Sequence, residues 1–315
     1  MAQLRNPCEG TGGTCEPGAE PPAAKRPRQT EAGASAAGEP ALRVMTFNVL
    51  ADCWVAPHPE NYAGVDAELL DAAARAKVVL DVVERAGAHI VFLQEVQESF
   101  MPLLRKRFEP DHFVAPLARN DPTSASEPNG VTMIMKKSHI ATESVEPVIW
   151  NSEGSATNVV VGTVVPWKRK FVAVNAHVPW GPGGDDQVER VVAHLKSAHS
   201  WPHPGLDVFW CGDFNMEPSG ASIQELSKSF SDALEFAPDV HTFHPAEVVP
   251  KFEVYSKRVD YVLLSEGLQA VDAHVPQAGS VDLSAMEQVN RCRWCMRTFG
   301  SDHVPIVCDI RRQGP

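Results

Sequence analysis

Polar residues of the kinds that activate water and hold phosphate oxygens stand at the ends of short apolar runs at five places along the chain. Asn48 ends Val44-Met45-Thr46-Phe47, and Glu95 follows Ile90-Val91-Phe92-Leu93-Gln94. His177 follows Phe171-Val172-Ala173-Val174-Asn175-Ala176, and Asp213 and Asn215 follow Val208-Phe209-Trp210-Cys211-Gly212. Asp302 and His303 precede Val304-Pro305-Ile306-Val307. The end of a buried strand presents a side chain to solvent beside a rigid support, which is where catalysis places its groups. In Gly212-Asp213-Phe214-Asn215 an extended backbone would put Asp213 and Asn215 on one side, because side chains alternate with a period of two. Gly212 would leave room for a ligand against the backbone. An aspartate beside an amide donor suits a site where water loses a proton next to a phosphate oxygen. In isolation the same four residues read equally well as a turn after a strand.

The elements that must position these groups are legible as β-branched runs separated by turn residues and helical patterns. Strands are expected at Arg43 to Val49, His89 to Leu93, Val131 to Met135, Val159 to Val165, Phe171 to Asn175, Asp207 to Cys211, Val259 to Leu264 and Val304 to Ile310. Several are apolar on both faces, as strands buried between two layers should be. A helix is expected over Asp66 to Arg85, with Leu69, Ala73, Ala76, Leu80 and Val83 on one stripe and Gly87 as the stop. Further helices are expected at Asp186 to His199, Glu98 to Arg107 and Ala221 to Phe230. Strands alternating irregularly with helices point to packed layers of sheet and helix.

Of the 315 residues, 43% are hydrophobic and 22% charged, which suits a soluble globular chain. No run approaches the ~20 apolar residues of a membrane span, and no secretory h-region opens the chain, so an intracellular protein is expected. Formal net charge is -12, from 28 Lys+Arg against 40 Asp+Glu. Nonspecific attraction to a long polyanion is thereby excluded as the main source of affinity. Seven cysteines at scattered positions suggest reduced thiols, and Cys292-Arg293-Trp294-Cys295, with no second pair, does not make a zinc site. Residues 1–40 hold almost no large apolar side chain and are expected to form a disordered low-complexity tail. The cluster Lys25-Arg26-Pro27-Arg28 within it has the composition of a nuclear import signal and equally of a solvated tail.

Six motifs in order resemble those of the endonuclease/exonuclease/phosphatase superfamily. They are Thr46-Phe47-Asn48-Val49-Leu50-Ala51-Asp52, Leu93-Gln94-Glu95-Val96, Asn175-Ala176-His177, Gly212-Asp213-Phe214-Asn215, Arg258-Val259-Asp260-Tyr261 and Gly300-Ser301-Asp302-His303. The resemblance implies a four-layered α/β sandwich, DNase I-like, with two packed mixed β-sheets flanked by helices, and makes residues 41–312 the catalytic domain. It implies that Glu95 is the main protein ligand of Mg2+, with Asn48 and Asp302 nearby and Mn2+ able to substitute. An oxygen-rich site of one or two carboxylates is what magnesium prefers. Taken alone, Glu95 could equally cap the following helix. Asp213 would activate the attacking water, Asn215 and His177 would hold non-bridging oxygens, and Asp260 would orient His303 against the phosphate. Residue types alone leave open whether Asp213 or His303 takes the first proton.

Within the superfamily, Asn48-Val49-Leu50-Ala51 resembles the deadenylase, nocturnin and 2′-phosphodiesterase branch. His177-Val178-Pro179-Trp180-Gly181-Pro182 leans the same way and makes Trp180 and Pro182 candidates for base contact. Arg258-Val259-Asp260-Tyr261-Val262-Leu263-Leu264-Ser265 instead resembles abasic-site endonucleases. The branch implies a monomeric 3′-5′ exoribonuclease of the nucleus or cytoplasm, acting on the 3′ end of single-stranded RNA without membrane attachment. Lys136-Lys137 and Lys168-Arg169-Lys170 would serve as local phosphate contacts. Alternatives are repair of DNA ends or abasic sites, and hydrolysis of a small nucleotide or inositol phosphate, which the acidic charge suits. A non-catalytic relative is disfavoured, because the carboxylates and the terminal histidine are all present.

Overall fold

The computed structural model describes residues 40–57, 59–119, 129–149, 156–180, 183–203, 205–237, 240–246, 256–276, 281 and 283–313. The expected tail up to residue 39, with its basic cluster, lies outside the described residues, as does Pro182. The strands are β1 (Leu42–Asn48), β2 (Ile90–Gln97), β3 (His112–Val114), β4 (Ala118–Arg119), β5 (Asn129–Lys136), β6 (Ile140–Ile149) and β7 (Ala156–Val164). They continue with β8 (Arg169–His177), β9 (Asp207–Asp213), β10 (Phe230–Asp232), β11 (Asp260–Ser265), β12 (Leu268–His274) and β13 (Ile306–Arg312). The α-helices are α1 (Asp52–Val55), α2 (Ala67–Leu70), α3 (Ala72–Ala86), α4 (Met101–Phe108), α5 (Gly183–His199), α6 (Ala221–Leu226) and α7 (Gln288–Phe299).

One sheet runs β12-β13-β1-β2-β5-β3, with β4 also on β5, and the other runs β10-β11-β9-β8-β7-β6. Each is mixed, because β1–β2 and β8–β9 are parallel and the remaining pairs antiparallel. Alternation along each strand explains the layering. Val44, Phe92 and Ile306 of the first sheet meet Phe171, Phe209 and Val262 of the second in the central core. The opposite faces of the same strands, Met45, Phe47 and Leu93, pack under Val79 and Val83 of α3, Leu104 of α4 and Phe299 of α7. Val172, Val174 and Trp210 pack under Val188, Val191 and Leu195 of α5 and Ile223 of α6. The result is the expected order of helix, sheet, sheet and helix.

All eight expected strands form, and the added ones lie mostly at sheet edges. Strand β6, for instance, interleaves Thr142, Glu143, Ser144 and Glu146 among its apolar residues, which suits an edge more than a core. The expected helix over Asp66 to Arg85 is instead two. Asp71 is extended and accepts a hydrogen bond from Ala74 N at 2.8 Å, so it caps α3 and breaks the pattern. The buried stripe is accordingly Arg75, Val79, Val82 and Val83, and Ala73 is exposed. The helix expected to reach Phe230 stops at Leu226, because Phe230 joins the second sheet as β10. Helix α7 has no counterpart in the sequence reading. It buries Cys292 and Cys295, and that burial pushes both thiols well above their ordinary pKa.

Strand register brings the chemistry together. Parallel pairing sets Asn48 beside Gln94, and β8 and β9 set His177 beside Asp213. Antiparallel β11 sets Asp260 across from Asp213. Beneath these ends a buried polar bridge joins the sheets. Gln94 Nε2 donates to Asn175 Oδ1 at 2.7 Å, and Asn175 Nδ2 donates to the carbonyls of Leu93 and Thr132 at 3.0 and 2.8 Å.

Candidate active site

Asn48 sits at the junction of the two sheets. Its Nδ2 donates to Glu95 Oε1 and to Asp213 Oδ2, both at 2.9 Å, so one amide holds two carboxylates from opposite layers. The asparagine is itself fixed from both sides. Its Oδ1 accepts from Leu50 N at 3.0 Å, and its carbonyl accepts from Ser301 Oγ at 2.8 Å. Glu95 lies where β2 slips register against β5, and its φ of 57° turns the side chain off the strand. A left-handed conformation at a non-glycine residue costs of order 1–3 kcal/mol, and such strain concentrates at functional sites. Its Oε2 accepts from Ala51 N at 2.8 Å.

Asp213 closes β9. Its Oδ1 accepts from Asn215 N at 2.8 Å, and Asn215 Nδ2 donates to the Val178 carbonyl at 2.9 Å. Asn215 therefore reaches the site by a different route from the one expected. It has φ 49°, past the end of the strand, and a turn rather than strand alternation brings it back beside Asp213. Gly212 also serves another purpose. A Cβ there would fall 1.9 Å from the Ala176 carbonyl, so its missing side chain admits the neighbouring strand and not a ligand. His177 Nε2 stands 3.7 Å from Glu95 Oε1, 3.8 Å from Asp213 Oδ2 and 3.4 Å from Asn215 Nδ2.

On the other side of Asp213, His303 Nδ1 lies 2.9 Å from Asp260 Oδ2 and its Nε2 lies 3.8 Å from Asp213 Oδ2. Thr242 Oγ1 accepts from the backbone of Val259 and Asp260, at 3.0 and 3.1 Å, which fixes the start of β11. Burial opposes charge on the His303 ring, but Asp260, then Asp213 and Asp302, outweigh it and push its pKa to about 10. Burial likewise raises Asp302 to about 6, with the charge of His303 pulling back and that of Glu95 adding to the rise. Asp302 Oδ2 accepts from Tyr62 OH at 3.2 Å. Its Oδ1 is buried and has no hydrogen-bond partner among the described residues.

Tyr62, Thr242, Arg75 and Lys257 were not foreseen. Arg75 donates through Nη1 to the carbonyls of Val49, Leu50 and Gly300 at 3.3, 2.7 and 3.2 Å, tying the loop that carries Asn48 to the one that carries Asp302. Trp180 is 48% exposed, and Lys257 Nζ lies 3.7 Å from its ring centroid. Burial lowers the Lys257 pKa, while Glu217 and Asp213 pull it back up, so this cation stands beside the carboxylate cluster. Adjacency of Lys257 to the Arg258-Val259-Asp260 motif was a signal that could have found it. The expected phosphate contacts do not belong here. Lys136 ends β5 against His112, and Lys168 and Arg169 stand at the start of β8, eight residues and roughly 26 Å of strand from His177. Lys137 Nζ donates to the Glu109 carbonyl at 2.7 Å and Lys170 Nζ to Glu143 at 3.0 Å.

The donor set fits a hard divalent cation. Glu95, His177 and Asp213 offer ligand atoms within 4.8 Å of one another, and the unpartnered oxygen of Asp302 adds a buried acceptor.

The family model described as the Endonuclease/Exonuclease/phosphatase family matches residues 45–303. The chain belongs to this family. The family model spans all six motifs, from Thr46 to His303. Among its relatives, nocturnin of Rattus norvegicus is 25% identical over 305 residues, which is 86% of this chain and 66% of that protein. The 2',5'-phosphodiesterase 12 of Mus musculus is 22% identical over 326 residues, 86% of this chain and 52% of that protein. The chain spans about half the length of the curated relatives it matches. Among solved structures, ANGEL2, a 2',3'-cyclic phosphatase in complex with adenosine-2',3'-vanadate, has the same fold. Its TM-score is 0.69 at 16% identity, covering 86% of this chain and 96% of that one. These similarities fall in the branch that the motifs resemble. No described helix is long and apolar enough to cross a membrane.

Proposed function

We propose that the chain is a magnesium-dependent phosphodiesterase acting as a 3′-5′ exonuclease on single-stranded RNA, with Mn2+ able to substitute. The observation that carries this reading is the buried bridge from Glu95 through Asn48 to Asp213, flanked by the Asp260–His303 pair. Glu95, Asn48 and Asp302 would hold the cation, which when bound polarises the scissile phosphate and offsets charge on the leaving oxygen. Asp213 accepts the proton of the attacking water. His303 already faces two carboxylates and carries positive charge, so it meets a phosphate oxygen as a donor rather than taking the first proton. Asp260 holds its orientation and stabilises its charge. His177 and Asn215, adjacent on the other flank, hold non-bridging oxygens. Trp180 and Pro182 stack on a base, and Lys257 beside Trp180 meets a neighbouring phosphate.

The name of one relative, a 2',5'-phosphodiesterase, supports a phosphodiester bond as the point of attack. The protein would work as a monomer in the nucleus or cytoplasm. The test is a panel of end-labelled substrates in Mg2+: oligoadenylate with 3′,5′ and with 2′,5′ linkages, RNA ending in a 2′,3′-cyclic phosphate, single-stranded DNA and an abasic duplex. Stepwise shortening of 3′,5′-linked RNA from its 3′ end is expected. Cleavage confined to DNA, or release of phosphate only from small nucleotides, would replace the RNA reading.

A further inference from the structure

On the outer face of the second sheet, at its edge and two strands from β8, Glu146 of β6 meets two histidines of α5. Glu146 Oε2 lies 3.2 Å from His194 Nε2 and 3.6 Å from His199 Nε2, and the three ligand atoms lie within 4.8 Å of one another. All three residues are partly buried. The side chain of His199 is only 11% exposed, and its Nε2 is buried without a hydrogen-bond partner among the described residues. Glu146 is aimed at the rings from behind, because its other oxygen, Oε1, accepts from Ser144 Oγ at 3.4 Å. Residues 194 and 199 are five apart, and their rings meet edge to face with centroids 5.4 Å apart.

A carboxylate oxygen shared by two imidazoles satisfies one ring at a time, which leaves the buried nitrogen of His199 stranded. A cation among the three atoms satisfies all of them. Four-coordinate zinc, with bonds of about 2.0–2.1 Å, sets its ligand atoms about 3.3 Å apart, close to the two Glu146 separations. Two imidazoles and one carboxylate select an imidazole-seeking divalent ion over magnesium. We propose that Glu146, His194 and His199 form a second metal site, separate from the catalytic centre, that binds a Zn2+-class cation with a solvent-completed fourth position. By clamping the end of α5 to the edge strand β6, the ion would fix the helix whose Gln187 donates to Thr157 of β7. Strand β6 is otherwise held on one side alone.

The test uses the full chain carrying Glu95→Gln, Asp213→Asn and Asp302→Asn, which breaks both candidate ligand groups at the catalytic end, after treatment with chelator. Titration with Zn2+ alone should show one equivalent bound and a raised thermal midpoint, as any ligand selective for the folded state produces. Mg2+ should do neither. His199→Ala or Glu146→Gln should weaken Zn2+ binding at least ~10-fold, the lower end of what disturbing a metal site costs. The 15N resonances of the His194 and His199 rings in the unmodified protein provide a measure that needs no variant, and both should shift on adding Zn2+. Unshifted ring resonances, or binding untouched by His199→Ala in a variant of native circular dichroism, would overturn the site.

Discussion

The two ends of the same strands are built on different electrostatics. Where β1, β2, β9 and β11 carry Asn48, Glu95, Asp213 and Asp260, four carboxylates counting Asp302 are at most 9% exposed and crowd around His177 and His303. At the far ends, Arg43 pairs with Asp309 at 2.7 Å and Lys170 with Glu143 at 3.0 Å, both partly in solvent. Exposed pairs of that kind contribute ~0–1 kcal/mol and can be lost freely. Concentrating like charges in a buried cluster works against folding and persists where the surrounding structure over-determines it, as Arg75, Thr242 and Ser301 do here. Acidity also differs in meaning between the ends. In the cluster it provides cation ligands and a base, and at the far ends it pairs with nearby arginine and lysine.

The contrast breaks most sharply at Asp260 and His303. Asp260→Asn and His303→Ala should each lower kcat by the ~10² to 10⁴ typical of acid–base groups, and the double variant should lose little more than the worse single one. Single-turnover rates check this, and strict multiplication of the losses would separate the two residues. Trp180→Ala should raise KM for RNA roughly 10-fold with kcat little changed, from the ~1–3 kcal/mol of one stacked base, as initial rates over substrate concentration would show. At the opposite end, burial holds the pKa of His89 near 4, helped by His139, Lys136 and Arg43, while its Nδ1 accepts from Arg43 N at 2.9 Å. A histidine near 6.5 in the unfolded chain takes up its proton first, so this contribution to stability is complete above pH 6.5 and is lost as pH falls towards 4. The thermal midpoint should drop by a few degrees over that window, and His89→Gln should flatten the drop. Smallest of all, Lys136→Ala and Lys170→Ala should leave turnover within about twofold, because neither lysine is near the cluster.

How much of this was legible in the sequence follows the same division. Asn48, Glu95, His177, Asp213 and His303 were readable because each ends or borders a buried run, and strand ends converge wherever strands pair. The layered fold followed from runs apolar on both faces. Asn215 stands beside Asp213 by a turn and not by the expected alternation, since period two stops where β9 stops and a positive φ takes over. Tyr62 and Thr242 come from segments with no periodic signal, and contacts made across 240 and 18 positions of sequence leave no local trace. The basic clusters misled because charge is visible in a sequence while strand direction is not: Arg169 and Lys170 lie on the strand that carries His177, at its opposite end.

The central claim is that the acidic end works with a divalent cation held at Glu95. The most direct measurement is the single-turnover cleavage rate of end-labelled RNA against free Mg2+, for the native chain and for Glu95→Gln, alongside each protein's thermal unfolding curve. Saturable dependence on Mg2+, with Mn2+ substituting, is expected for the native chain. Glu95→Gln should lose turnover by orders of magnitude while unfolding as cooperatively as the native protein. Undiminished cleavage in excess chelator, or a Glu95→Gln variant with native turnover, would contradict the account.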